Sequence, residues 1–103
     1  MYKMCYFVPE SHLEITKAAL FESGAGRIGD YDCCAWQCKG RGQFRPLEGS
    51  NPYLGQTGAV EQVDEFRVEL VCRDELIRSA VRALKESHPY EEPAYEVFRM
   101  EEL

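Results

Sequence analysis

The sequence predicts an α+β sandwich in which a strand–helix–strand unit occurs twice, giving the order βαββαβ. Three observations carry that prediction. Residues Phe66, Val68, Leu70 and Cys72 alternate with Arg67, Glu69 and Val71, the two-residue period of a strand with one buried face. Leu76, Ile77, Ala80, Val81 and Leu84 form a single apolar stripe at helical spacing. Sliding the chain along itself by 64 places lays Ala19-Leu20 on Ala83-Leu84, Glu22-Ser23 on Glu86-Ser87 and Tyr31 on Tyr95. The same shift puts Tyr2, Met4, Tyr6 and Val8 in phase with Phe66, Val68, Leu70 and Cys72. A chain of 103 residues buries enough surface for one core and not two, so a single domain over residues 1–103 is expected.

Taken in order, Tyr2–Val8 is aromatic and β-branched and stops at Pro9, as a strand does. Ser11 with Glu14 three residues later matches a capping box. The helix it opens runs to about Ser23 with Leu13, Thr16 and Leu20 inward, and Gly24 ends it as a C′ residue. Residues from about Asp30 to Lys39 read as the second strand and Phe66–Cys72 as the third. Asp74–Ser87 is the second helix; Pro89 and Pro93 then block helical continuation, and Ala94–Met100 is the last strand. Two such units in tandem make a ferredoxin-like sandwich, an antiparallel sheet with both helices on one face. The other face shows Lys3, Cys5, Phe7, Arg67, Glu69 and Val71, and its apolar members favour coverage by another subunit. Between the halves, Gly40–Glu65 holds five of the eight glycines and is predicted as a long loop, with Gln43–Arg45 and Ala59–Val63 pairing as an extra edge hairpin.

Lys plus Arg number 12 against 18 Asp plus Glu, a net charge of -6, which argues against general nucleic-acid binding. No apolar run approaches the ~20 residues of a membrane span, and Pro9 comes too early for a secretory h-region, so a cytoplasmic protein is expected. Its five cysteines are then read mainly as small core residues.

Gly24-Ala25-Gly26-Arg27-Ile28-Gly29 matches the dinucleotide fingerprint in letters but follows a helix, where the dipole repels phosphate; it reads as a cap and tight connection. Arg27 retains the possibility of a local anion site. Cys33, Cys34 and Cys38 resist a metal reading, because strand geometry sends Cys33 and Cys34 to opposite faces and separates Cys34 from Cys38 by ~13 Å at ~3.3 Å per residue. His88-Pro89-Tyr90-Glu91-Glu92-Pro93-Ala94-Tyr95 is the most informative stretch: an imidazole, two carboxylates and two tyrosines on a proline-stiffened turn. His88 with Glu91 or Glu92 has the chemistry for a divalent cation or proton exchange; equally, His88 can cap the second helix while the glutamates hydrogen-bond across a subunit boundary. His12 reads as surface. No serine elbow or nucleophile–base pair is present, so no catalytic residue is named.

The run at 88–95, the segment Gly24–Tyr31 and the segment Gly42-Gln43-Phe44-Arg45-Pro46-Leu47-Glu48-Gly49-Ser50-Asn51-Pro52-Tyr53-Leu54-Gly55 together resemble the inserted domain of bacterial YqfO proteins, in the Nif-three-like (DUF34) family. The His-Pro-Tyr-Glu turn is also similar to that of CutA, the divalent-cation-tolerance protein. The resemblance covers nearly the whole chain. It implies a PII/CutA-like sandwich, a homo-oligomer with the trimer as the usual form, and a partner-contacting connection at Gly40–Glu65. Full Nif-three-like proteins hold a two-metal site in a larger domain; this chain has only two histidines, so no catalytic or metal residue carries over. The expectation is a stand-alone, non-enzymatic ligand-binding or regulatory module without a cofactor, taking a small molecule or partner protein but no nucleic acid and no membrane. Its candidate site is an inter-subunit cleft of His88, Tyr90, Glu91 and Glu92 with Arg27, Phe44, Glu48 and Asn51. The alternatives are copper or zinc binding of the CutA kind, service to a separate two-metal hydrolase, and an enzyme using a cysteine or His88 as base.

Overall fold

A computed structural model describes residues 1–103. Its strands are β1 (Tyr2–Val8), β2 (Trp36–Phe44), β3 (Glu61–Cys72) and β4 (Tyr95–Arg99), and its α-helices are α1 (Leu13–Glu22) and α2 (Ile77–Ser87). The sheet order is β2-β3-β1-β4 with every neighbouring pair antiparallel, the βαββαβ arrangement the sequence predicts. β1 sits between β3 and β4 in a register that pairs Tyr2 with Cys72 and Val8 with Phe66, and Tyr6 with both Val68 and Tyr95.

The predicted inward phase supplies the core except at its ends, where Tyr2 and Phe66 are only half-buried. Met4, Tyr6, Val8, Val68, Leu70 and Cys72 are buried under Leu13, Leu20, Ala80 and Leu84 of the helices. Burial of such side chains stabilises the fold by roughly 1.5–3 kcal/mol each. One polar link lies within this layer. The Tyr6 hydroxyl donates to Thr16 Oγ1 at 3.0 Å, while Thr16 directs its own proton at the carbonyls of His12 (2.8 Å) and Leu13 (2.9 Å). Burial pushes the Tyr6 hydroxyl up to about 12, against the smaller opposing effect of the Thr16 hydrogen bond.

The helix termini divide. Gly24, at φ +101°, ends α1 with both bonds of a Schellman motif: Gly24 N–H to Phe21 O at 3.0 Å and Ala25 N–H to Leu20 O at 3.1 Å. At the other end the capping box does not form. A 3₁₀ turn over Glu10–His12 precedes α1, so Ser11 lies inside that turn and its hydroxyl meets His12 Nδ1 at 2.9 Å instead of a helix N–H. The second helix opens the same way, through a 3₁₀ turn at Asp74–Leu76.

The connection and second strand need correction. β2 occupies Trp36–Phe44, not 30–39, because the chain first makes a tight turn in which Ile28 and Tyr31 bridge each other and Gly26 and Gly29 adopt positive φ. Cys33 follows at φ +54° and interrupts any extended strand there. Cys33 and Cys34 therefore lie on a loop, and the opposite-face argument for them falls away. Tyr31 lies in this loop whereas Tyr95 opens β4, so those two are not structural equivalents. The extra hairpin proves to be the continuation of β2 and β3 themselves, pairing Gln43 with Gln62 and Phe44 with Glu61. Residues 61–65 have no partner on β1, so the hairpin projects past the four-stranded part and the molecule extends 46 × 24 × 24 Å. What remains as loop is residues 45–60, its neck closed by Gly58 N–H on Pro46 O at 2.8 Å.

Candidate functional site: a cavity at one end of the sheet

β1 ends, α2 ends and β4 begins at the same edge of the molecule, and His88 joins them. Its N–H donates to Leu84 O at 2.9 Å, completing α2. Its ring Nε2–H donates to the Phe7 carbonyl at 2.6 Å, and its Nδ1 accepts the Tyr90 N–H at 3.1 Å. Those partners select the neutral tautomer protonated at Nε2. Burial holds the imidazole below its ordinary value of 6.5, more strongly than the Phe7 carbonyl raises it, and His12 adds to the lowering. Both ring nitrogens are engaged, so ligation of a cation would require breaking one of these bonds. No three His, Cys, Asp or Glu side chains converge in a metal-holding group anywhere in the chain.

The Tyr90 backbone held by His88 sets its ring among three others. Its ring lies 4.9 Å from that of His88, 6.2 Å from Phe44 and 6.0 Å from Tyr53, centroid to centroid. Tyr53, carried in from loop 45–60, also meets His12 edge-on at 6.1 Å. His12 is thus the loop's rest on the 3₁₀ turn before α1 and not a bare surface residue. Together the loop, the end of the hairpin and the turn 90–94 enclose a cavity of about 420 Å³. Glu65 reaches it by lying across Gly42, where a side chain would occupy the space of its carboxylate. Burial raises the Glu65 carboxyl above its ordinary value. The Tyr90 hydroxyl is raised first by burial, then by Glu65 and Tyr53, and it is buried without a hydrogen-bond partner.

Of the candidate residues, Phe44, Tyr90, Glu91 and Glu92 line this cavity. His88 stands behind it as the support of Tyr90. Asn51 contributes through its backbone, whose N–H donates to Glu91 Oε2 at 3.1 Å and ties the loop to the turn. Glu48 is exposed and outside the lining. Arg27 is exposed at the opposite end of the sheet: the neighbouring Gly26 N–H bonds Val71 O, whereas the cavity is lined by Phe7. Sequence reasoning missed Phe7, Glu65 and Tyr53 as members. The signal for Phe7 and Glu65 was their phase, since both lie on the sheet face away from the helices, but the polar stretch 61–65 hid the strand that sets the phase of Glu65.

That open face carries the two thiols of the sheet that do not belong to the core cluster. Cys5 is buried on it beside Arg67, and burial pushes its thiol up. Cys38 stands opposite Arg67 on β2 and is exposed, as is Cys33. The core-filling reading therefore describes Cys72; Cys5 is buried outside that cluster, and Cys33, Cys34 and Cys38 are not buried.

No family model matches the chain. It is 43% identical over 98 residues to a GTP cyclohydrolase 1 type 2 homolog of Halalkalibacterium halodurans, covering 95% of this chain and 26% of that protein. It is 40% identical over 100 residues to the Bacillus subtilis protein of the same name, covering 97% and 27%. Among solved structures, a Bacillus cereus protein related to NIF3 superposes with a TM-score of 0.85 at 38% identity over 98% of this chain and 26% of that one. CutA from Archaeoglobus fulgidus superposes with a TM-score of 0.71 at 18% identity over 99% and 86%, a likeness of fold alone. The chain thus spans about a quarter of the length of the curated relatives it matches. By sequence it is homologous, at about 40% identity, to a portion of some 100 residues of the GTP cyclohydrolase 1 type 2 homologs of the NIF3 family, and by fold it is CutA-like.

Proposed function

We propose that this chain is a non-enzymatic, self-associating module that binds a small ligand and serves the Nif-three-like proteins in a regulatory role. The carrying observation is the cavity of about 420 Å³ built from the loop 45–60 and the turn 90–94, within the ~300–1,000 Å³ range of small-molecule sites. Its lining offers rings and carboxylates but no nucleophile held by a base, and His88 is committed to two structural hydrogen bonds. The relatives' name points to nucleotide chemistry of the whole protein, and this chain matches a quarter of it; an accessory part beside a catalytic one fits that proportion. Trp36 and Phe98, both more than half exposed, pair with Glu69 and Lys3 on the sheet face that carries no helix. A trimer formed through that face would cover them, in keeping with the CutA-like fold. The test is light scattering together with native mass spectrometry of chain purified without denaturation. A trimeric species, three times 11.8 kDa, that carries a small molecule lost in Tyr90→Ala is expected. A monomer across micromolar concentrations overturns the self-association, and identical masses before and after denaturation of each chain overturn retention of a ligand.

A further inference from the structure

The class of ligand can be argued from the chemistry of the cavity wall; this step rests on the reading of that cavity as a ligand site. Three features converge there. Aromatic rings surround it: Phe7, Phe44, Tyr53 and Tyr90, the last three within about 6 Å of one another through Tyr90. Carboxylates interrupt the rings, Glu65 from β3 and Glu91 and Glu92 from the turn, against Arg45 as the single cationic side chain of the lining. The Tyr90 ring lines it while its hydroxyl is buried behind the wall without a hydrogen bond within the chain, so the ring and not the hydroxyl is the surface a ligand meets.

We propose that the cavity takes a small organic cation, an alkylated ammonium compound whose charged head rests against the rings of Phe44, Tyr53 and Tyr90 and faces the carboxylate of Glu65. An anion such as a phosphate ester would face three carboxylates with one guanidinium to balance them. A bare divalent metal would need ligands that converge, and these do not. An alkylated ammonium is weakly hydrated, spreads its charge over its methyl groups and is attracted by the negative faces of aromatic rings. Glu65 belongs to the design through Gly42: only a residue without a side chain at 42 leaves room for the carboxylate to lie across β2 toward the cavity.

The experiment compares choline with its neutral carbon isostere, 3,3-dimethylbutan-1-ol, by calorimetry and by amide shifts of the full chain. Saturable shifts at Asn51 and Tyr90 with choline are expected, with the isostere weaker by about tenfold or more. Tyr90→Leu should weaken choline by about tenfold. Glu92→Gln changes an exposed side chain, leaves the packing intact and should weaken choline while leaving the isostere unchanged. Equal affinity for choline and the isostere overturns the cationic class while leaving the cavity a ligand site. Absence of saturable shifts with choline also overturns the class, and retention of some other small molecule by the purified chain would then show that the broader reading survives without it.

Discussion

At the scale of single residues, His88 shows how one side chain can look like a reactive group and serve as a pin. Its type and its place beside two glutamates were legible, but the cap it gives α2 comes from its backbone N–H and not from its ring. Its ring partners were not legible, because the Phe7 carbonyl is 81 positions away in the chain. The consequence is a pH dependence with a definite sign. Burial holds the folded imidazole below 6.5, so between the folded value and 6.5 the unfolded chain binds more protons and stability rises with pH. The contribution is fully present above pH 6.5 and is lost as pH falls through the folded value. Glu65 acts in the opposite direction, since its folded carboxyl is raised and its protonation favours the folded state below that raised value. The melting temperature of the wild type minus that of His88→Gln, measured from pH 7.5 to 5, isolates the histidine. The difference should shrink as the pH falls below 6.5, because Gln keeps a donor for Phe7 and does not titrate. A constant difference across that range would show that His88 is not held neutral by the fold.

At the scale of elements, signals that are local were readable and signals that depend on a distant partner were not. The end of α1 is the clearest success, because a glycine after a helical stripe is a local cue and the Schellman bonds form in full. The start of α1 failed through a local competitor, the 3₁₀ turn that begins at Pro9 and draws Ser11 inside it. β2 failed for a different reason. It is an edge strand with no fully buried residue. Although Gln37, Lys39, Arg41 and Gln43 alternate with Trp36, Cys38 and Phe44, Gly40 and Gly42 break the apolar phase in its middle, so it does not read as a strand with one buried face. The cavity inherits that blindness, since Glu65 and Phe44 take their places only once the long β2–β3 pairing is known. Glycines separate the same way. Gly24→Ala forces φ +101° on a residue with a side chain and sets its Cβ 2.7 Å from Leu76 Cδ1, so urea unfolding should show a loss of about 1–2 kcal/mol or more. Gly40→Ala meets open space on β2 and should change stability by no more than about 0.5 kcal/mol. Equal effects of the two would remove the argument that backbone conformation and the Leu76 contact, rather than glycine content, fix the connection.

At the scale of the whole molecule, the repeat seen in the sequence becomes an approximate two-fold axis. The displacement of 64 places carries Cys5 onto Glu69, which is its own strand partner, so the axis passes through that pair. It carries the 3₁₀ turn at Glu10–His12 onto that at Asp74–Leu76 and the start of α1 onto the start of α2. The groove between the helices is lined by three repeat-related pairs, Ala19 with Ala83, Glu22 with Glu86 and Ser23 with Ser87. The symmetry ends where Gly24 corresponds to His88: one half turns through a loop into the edge strand β2, the other pins a turn against β1. Both departures leave the helix-free face of the sheet without cover, with Trp36 on β2 and Phe98 on β4 exposed at either side of it. Water at these rings is the cost a subunit contact would remove, at roughly 25 cal/mol per Å² of apolar surface covered. Phe98→Glu places a charge on that surface without touching the core cluster, whose members lie on the other face. The expected outcome is a trimer reduced to monomer in sedimentation velocity, with the far-ultraviolet circular dichroism spectrum unchanged. A trimer that survives Phe98→Glu and Trp36→Glu together would place the subunit contact away from the open face, on the projecting hairpin or the helices.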